Sequence, residues 1–246
     1  TLRDNWGPGS NAYDVISVRG YPQDLDAPNA ELTITVNPAG TNNYGIMTSL
    51  SDALLCMQNW RCKSLTIGLD ASVTTTQTVT GPLSRKVLPK NLRINGNNGS
   101  GGRIRFYTDG AQQNNLSLTL DGSDVVVNGA IFNSDSGTST TALLFLSGYG
   151  HVGLKDCAAQ YAEYYVDSRG PDVSIKGGTI DDINLGSSGS RAVMSCAADR
   201  AVRLSIEDAS GANNTRLYNL STPAILAYEN LSIGTVAGIK AYTVVV

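Results

Sequence analysis

The chain contains one histidine, His151, and its place in the sequence gives it acidic company. Asp124 lies 27 residues before it and Asp172 lies 21 residues after it. Each of the three immediately precedes a short apolar alternation, Val125-x-Val127, Val152-x-Leu154 or Val173-x-Ile175. If those alternations are parallel strands stacked in register, the three polar residues form one outward Asp-His-Asp column. Stacked strands are about 4.8 Å apart, which sets the two carboxylates roughly 9 to 10 Å from each other. That is the wide edge of the separation used for inverting glycoside hydrolysis. An Asp at a corner ordinarily bonds the backbone beside it, and that structural role is the first expectation for both acids.

Two further groups could do chemistry. Asp181 and Asp182 follow Gly177-Gly178-Thr179-Ile180, and adjacent carboxylates on such a turn are ordinarily solvated or capping. Tyr161, Tyr164 and Tyr165 lie in Ala-Gln-Tyr-Ala-Glu-Tyr-Tyr, with Asp167 close by. Strand parity predicts Tyr164 inward and Tyr165 outward. Tyr149, Tyr161, Tyr165, Glu163 and Arg169 are then candidates for a sugar-binding face, because aromatic rings stack on sugar rings while their polar tips bond hydroxyls. The competing role for the same residues is to seal the side of a solenoid or a subunit interface. Lys155 and Lys176 fall in one outward column, a solvated charge column or a seat for an acidic sugar. With a single histidine, no Ser-His-Asp order, phosphate loop or metal cluster is expected.

The elements that must position these residues are written as a repeat. Leu116-x-Leu118, Leu143-x-Phe145, Tyr164-x-Val166 and Val193-x-Ser195 each precede a second alternation that starts nine residues later. A fifth copy, Ile225-x-Ala227 before Leu231-x-Ile233, shortens that offset to six. Strands with a fixed corner and a variable loop are the signature of a parallel β-solenoid. The corners Asp121-Gly122-Ser123-Asp124, Gly148-Tyr149-Gly150-His151 and Arg169-Gly170-Pro171-Asp172 carry the glycine a tight turn needs, and Ala198-Asp199-Arg200-Ala201 does not. The variable loops, 134–141 and 184–190, are expected on one side, where repeat proteins place function.

Before the repeat, Glu31 to Asn37 alternates as a strand. Residues 1–45 are expected to form an extended leader with that one strand, anchored by Trp6, Tyr13 and Tyr21. Residues 46–246 are expected to form the solenoid, opened by a helix over about 47–60 whose apolar face is Leu50, Leu54, Leu55, Met57 and Trp60. Thr48 or Ser49 is its expected N-cap. Such a helix covers the raw first edge of a solenoid. The end, Thr243 to Val246, is an apolar strand with no visible polar cap, which suggests cover by a partner chain.

Composition narrows the function classes. The net charge of -3 over 246 residues supplies no basic stripe for nucleic acid. No apolar run is long enough for a membrane span, and the first residues lack a signal-peptide core. Charged residues are only 16%, so much of the surface polarity must come from Ser, Thr and Asn. Cys56, Cys62, Cys157 and Cys196 match no zinc spacing and are expected as buried thiols formed in a reducing compartment. No metal and no cofactor is called for.

Ser64-Leu65-Thr66-Ile67, then Asn91-Leu92-Arg93-Ile94-Asn95-Gly96, then irregular coils with Gly or Asn corners behind a capping helix form a pattern over about residues 45–235. It resembles the right-handed parallel β-helix domains of bacteriophage tailspikes and tail fibres, in the broad pectate-lyase-like superfamily. The resemblance is one of pattern, without a diagnostic short motif. It implies an all-β, right-handed parallel β-helix in a homotrimer of the virion tail, assembled in the bacterial cytoplasm with other tail proteins. It implies attachment to bacterial surface polysaccharide, and in some members cleavage of it by a hydrolase or lyase. The polygalacturonases of that superfamily combine Asn-Thr-Asp, Asp-Asp, Gly-His-Gly and Arg-x-Lys in that order. Here Gly150-His151-Val152 precedes Asp181-Asp182 and the other two motifs are missing, which counts against that activity. Receptor binding without cleavage is therefore the leading expectation and polysaccharide depolymerisation the alternative.

Overall fold

The computed structural model describes residues 31–42, 45–57, 62–86, 88–109, 113–135, 141–184, 191–214 and 216–234, and the backbone of 241–245. Trp6, Tyr13, Tyr21, Trp60 and most of the two variable loops lie outside the described residues. The chain opens with β1 (Glu31–Val36), β2 (Ile46–Met47), helix α1 (Leu50–Leu55), β3 (Ser64–Leu69), β4 (Gln77–Thr80), β5 (Leu83–Arg85), β6 (Asn91–Asn95) and β7 (Ile104–Thr108). Two long strands follow, β8 (Leu116–Asn128) and β10 (Ala142–Lys155), with β9 (Ile131–Ser134) between them. Next come β11 (Ala158–Gln160), β12 (Tyr164–Arg169), β13 (Asp172–Lys176), β14 (Thr179–Asp181) and β15 (Ala192–Cys196). The last are β16 (Val202–Glu207), β17 (Tyr218–Leu220), β18 (Ala224–Glu229) and β19 (Ala241–Val245).

The architecture is mostly β, with long parallel sheets compatible with an all-β parallel solenoid. Three parallel ladders recur. One runs β1-β3-β6-β8-β10-β13-β16-β18, the second runs β5-β8-β10-β12-β15-β17, and the third runs β4-β7-β9-β11-β14. The first two meet because β8 and β10 are long enough to belong to both, bending at the Gly122 and Gly148–Gly150 corners. The third ladder uses strands of three to five residues that the repeat in the sequence does not display.

Alternation explains the core. In the first ladder Leu65, Leu92, Val125, Val152, Val173, Leu204 and Leu226 stand in direct register. Two residues along, Ile67, Ile94, Val127, Leu154, Ile175 and Ile206 form a second column, and both columns are buried. Each such side chain contributes about 1.5–3 kcal/mol by leaving water. Phe106 and Phe132 add an interior stack with ring centroids 5.0 Å apart.

In the second ladder the expected register is corrected by one residue. Leu144 and Leu146, not Leu143 and Phe145, face Leu116 and Leu118, and Met194 and Cys196, not Val193 and Ser195, continue the column. Leu143, Tyr165 and Val193 are nevertheless in the same core as Leu144, Val166 and Met194, so consecutive residues both point inward where the chain enters this ladder. The fifth copy is also misphased. Ile225 is 40% exposed, because Ala224 and Leu226 take the inward positions of a first-ladder strand.

The helix is shorter than its apolar pattern. Ser49, in extended conformation, caps it by accepting from the Asp52 N–H at 3.2 Å, and Cys56 and Met57 already form a turn. Leu50, Ala53 and Leu54 are buried, and α1 packs on β1, β2 and β4, the first strands of the first and third ladders. At the other end β19 folds back antiparallel on β18. Cys56, Cys62, Cys157 and Cys196 are buried free thiols. Among the described residues, no helix is long and apolar enough to cross a membrane.

Candidate functional site

The outward face of the first ladder places Asp124, His151 and Asp172 in one column, in the register that the strands predict. They do not make three equivalent contacts. His151 Nδ1 is 2.8 Å from Asp124 Oδ1, while Asp172 Oδ1 accepts from the Arg203 N–H at 3.0 Å and from Arg200 at 3.4 Å. The imidazole turns away from Asp172 and runs along the strand. Its Nε2 reaches Ser174 Oγ at 2.9 Å.

Gly153 lies beside that contact. Residue 153 sits between His151 and Lys155 on the outward face, directly opposite Ser174. A Cβ there would lie 3.5 Å from both His151 Cε1 and Ser174 Oγ, in ordinary van der Waals contact with the pair. Val126, on the other side of Gly153, walls the space at 3.6 Å.

Asp124 is fixed from the opposite side by Arg93, whose guanidinium donates to Oδ2 at 2.7 Å and to the Asp124 carbonyl at 3.2 Å. Burial raises the Asp124 pKa, but the bonds from His151 and Arg93 outweigh it and hold the carboxyl below its ordinary value. An ionised carboxylate only accepts, so His151 donates its Nδ1–H to Asp124 and turns Nε2 to the Ser174 hydroxyl. The result is a continuous Ser174–His151–Asp124–Arg93 chain. The expectation that one histidine could not support a Ser-His-Asp arrangement is corrected by this geometry. Its members come from three stacked strands and two adjacent columns, so linear order hides them.

A depression of ≈ 560 Å³ opens beside the column, lined by Gly122, Asp124, Tyr149, His151, Asp172 and Arg200 among others. Tyr149 is 56% exposed, and its ring edge lies 3.3 Å from the position a Cβ on Gly122 would take. Its hydroxyl bonds the Asp121 carboxylate, which pushes the phenol pKa up. Two corner glycines set this place. Gly148 has φ +83 and its missing Cβ would fall 2.0 Å from the Leu120 carbonyl, while Gly150 has φ +145 and would meet the Ser123 carbonyl at 2.3 Å.

The remaining sequence candidates scatter. Arg169 stands opposite Ser147 and pairs with the nearly buried Asp167 at 2.9 Å. Tyr161, with φ +65, accepts from the Ser134 hydroxyl through its carbonyl, and Glu163 lies in the same connection between β11 and β12. Tyr165 is a correction: it is fully buried against Phe132 at 5.9 Å and presents no ring to a sugar. Tyr164 takes the other side with Ala142 and Ala192, so the expected parity is reversed by the double inward step. Asp181 accepts from the Ala212 backbone N–H at 2.8 Å, and Asp182 accepts from the side-chain amides of Asn213 at 2.9 Å and Gln160 at 3.3 Å. Lys155 and Lys176 do share a column, and Lys176 pairs with Glu207 at 3.3 Å.

Arg93, Ser174 and Arg200 were not among the sequence candidates. The signal for the first two was diagonal, two residues along a neighbouring strand, where side chains of this length meet. Arg200 occupied the one corner without glycine. Among the described residues, no group of three or more His, Cys, Asp and Glu could hold a metal ion. No protein-family model, curated protein or solved structure matches this chain.

Proposed function

We propose that this chain is a receptor-binding part of a phage tail fibre or tailspike, a right-handed parallel β-helix that attaches as a homotrimer to bacterial surface polysaccharide. One observation carries the reading. An exposed tyrosine, Tyr149, lines a depression together with carboxylate, imidazole and guanidinium groups. An aromatic face supplies stacking on a sugar ring, and the polar groups supply bonds to hydroxyls. A surface poor in charge and rich in Ser, Thr and Asn suits the same partner. A second depression of ≈ 310 Å³, lined by Thr33, Thr35, Thr66, Asn95, Asn97 and Asn98 among others, has that hydroxyl-and-amide character. The helix that covers the first strands, and a location in the virion tail with other tail proteins as partners, belong to the same reading.

The depolymerase alternative with carboxylates as acid and base draws less support. A glycosidase acid must hold its proton near neutrality. Asp124 is instead held ionised, and Asp172 is occupied by Arg200 and a backbone N–H.

The test is light scattering on the purified chain, followed by titration with a panel of bacterial surface polysaccharides. A trimer that binds one of them, with binding weakened at least about tenfold by Tyr149→Ala, is the expected result. A monomer without affinity for any polysaccharide removes the proposal.

A further inference from the structure

We infer that Ser174 is a nucleophile activated by His151, with Asp124 as its positioning residue, and that the site cleaves an ester by acyl transfer. The substrate class, an O-acyl ester on the bound polysaccharide, rests on the glycan reading above; the nucleophile itself does not.

The argument is geometric. A nucleophilic hydroxyl needs a base within hydrogen-bond reach and a third group that holds the base in the right tautomer. Ser174 Oγ to His151 Nε2 is 2.9 Å and His151 Nδ1 to Asp124 Oδ1 is 2.8 Å. The three side chains are partly exposed, so a polymer can approach along the sheet face. Gly153 lies between the serine and the base, where a Cβ would already be in van der Waals contact with both and a β-branched side chain would reach on into their bond. Two residues further along each strand, Lys155 and Lys176 follow on the same face, roughly 7 Å away by strand rise. Lys155 has no ion-pair partner among the described residues and can place its ammonium against a developing oxyanion.

The reaction balances as hydrolysis. Ser174 Oγ attacks the ester carbonyl carbon while its proton passes to His151 Nε2. The tetrahedral intermediate collapses, the bond to the sugar oxygen breaks, and His151 returns the proton to that leaving oxygen. Water, deprotonated by His151, then attacks the acyl-serine, and the carboxylic acid departs with Ser174 regenerated.

The test treats the full chain with a fluorophosphonate and maps the adduct by mass spectrometry, alongside hydrolysis of p-nitrophenyl acetate. One adduct on Ser174 is expected, with both signals lost in Ser174→Ala and reduced by roughly 10²–10⁴-fold in His151→Ala. Asp124→Asn is expected to reduce the rate and change its pH profile, which a purely structural residue would not do. Gly153→Val leaves all three groups in place and is expected to lose labelling, with the circular dichroism spectrum unchanged. Absence of an adduct, or an adduct insensitive to His151→Ala, overturns the nucleophile. Release of acetate from an O-acetylated surface polysaccharide supports the substrate class; turnover of the nitrophenyl ester with binding of that polysaccharide but no acetate release overturns it. An adduct on Ser174 of the unaltered chain, with no binding of any polysaccharide by that chain, removes the glycan reading and leaves the nucleophile standing.

Discussion

His151 bonds Ser174, not its direct cross-strand neighbour Asp172. The 2.9 Å contact runs diagonally, from one outward column to the next, across a glycine. A diagonal pair on neighbouring strands, about 4.8 Å across and two residues along, is about 8 Å apart at Cα, so a histidine closes it by lying along the strand. That posture requires an anchor at the other end of the ring, and Asp124 at 2.8 Å supplies it.

The tautomer is directly observable because the chain has one histidine. Nitrogen-15 spectra near neutral pH are expected to show a proton on Nδ1 and none on Nε2. Asp124→Ala is expected to abolish that preference, since the acceptor that selects it is gone. A proton found on Nε2 in the unaltered chain contradicts the arrangement.

Asp124 also links stability to pH. Its folded pKa lies below the ordinary 3.8, so the folded state holds the ionised form more tightly than the unfolded state does. The contribution is therefore present above the unfolded value and is lost as pH falls from about 4 through the folded value. The side chain is 40% exposed, and solvent screening limits the effect to at most about 1 kcal/mol. Urea unfolding of the chain and of Asp124→Asn is expected to differ at pH 7, with the difference shrinking as pH falls from 7 to 3. A gap that stays constant between those pH values contradicts the linkage.

Tyr165 separates packing from hydrogen bonding. Its ring is fully buried beside Phe132, while its hydroxyl has no partner of hydrogen-bonding geometry among the described residues. Only the Cys157 thiol lies against it, and burial with that neighbour pushes the phenol pKa well up. Tyr165→Ala is expected to cost about 3–5 kcal/mol through the cavity it leaves. Tyr165→Phe removes an unsatisfied buried group and is expected to be neutral or stabilising within about 1 kcal/mol. Denaturant midpoints of the two variants decide it.

The thiols follow the same logic of burial. Cys157 donates to the Val127 and Lys155 carbonyls at 3.4 Å each, and burial lifts its pKa to about 11. Burial raises Cys56 and Cys62 as well. A thiol that is buried and protonated is a poor nucleophile. Ellman's reagent at pH 8 is expected to find no reactive thiol in the folded chain and four in denaturant.

Much of this was legible because alternation is a strong signal where one face is buried. The alternation specifies the register of Val125, Val152 and Val173, and with it that of Asp124, His151 and Asp172. In the neighbouring ladder the pattern leaves a one-residue ambiguity, because Leu143 and Leu144, and Val193 and Met194, are apolar in pairs. Either member satisfies the pattern, and a one-residue slip exchanges the faces. The same ambiguity sent Tyr165 outward. In the third ladder Ile104 to Tyr107 is legible as a strand and Val73 to Val79 overlaps β4, while the later strands are as short as three residues with inward residues that include Ala159. Ser174, Arg93 and Gly153 carried no linear motif, since their meaning arises only when diagonals across stacked strands are known.

The corner that presents Tyr149 gives the last prediction. Gly148 adopts φ +83, and a Cβ on it would stand 2.0 Å from the Leu120 carbonyl of the strand below. Alanine there meets both a backbone conformation that L-residues seldom adopt and a backbone atom that cannot swing aside. Gly148→Ala is expected to destabilise the chain by about 1–3 kcal/mol, as strained special positions do. Relief of the clash would require β8 and β10 to separate at the bend, where the register already shifts between Tyr149 and Gly150. The variant is therefore expected to weaken polysaccharide binding beyond its loss of stability, because Tyr149 and His151 flank Gly150 and move with it. Binding unchanged in a destabilised but folded Gly148→Ala would show that the corner's shape does not position the site.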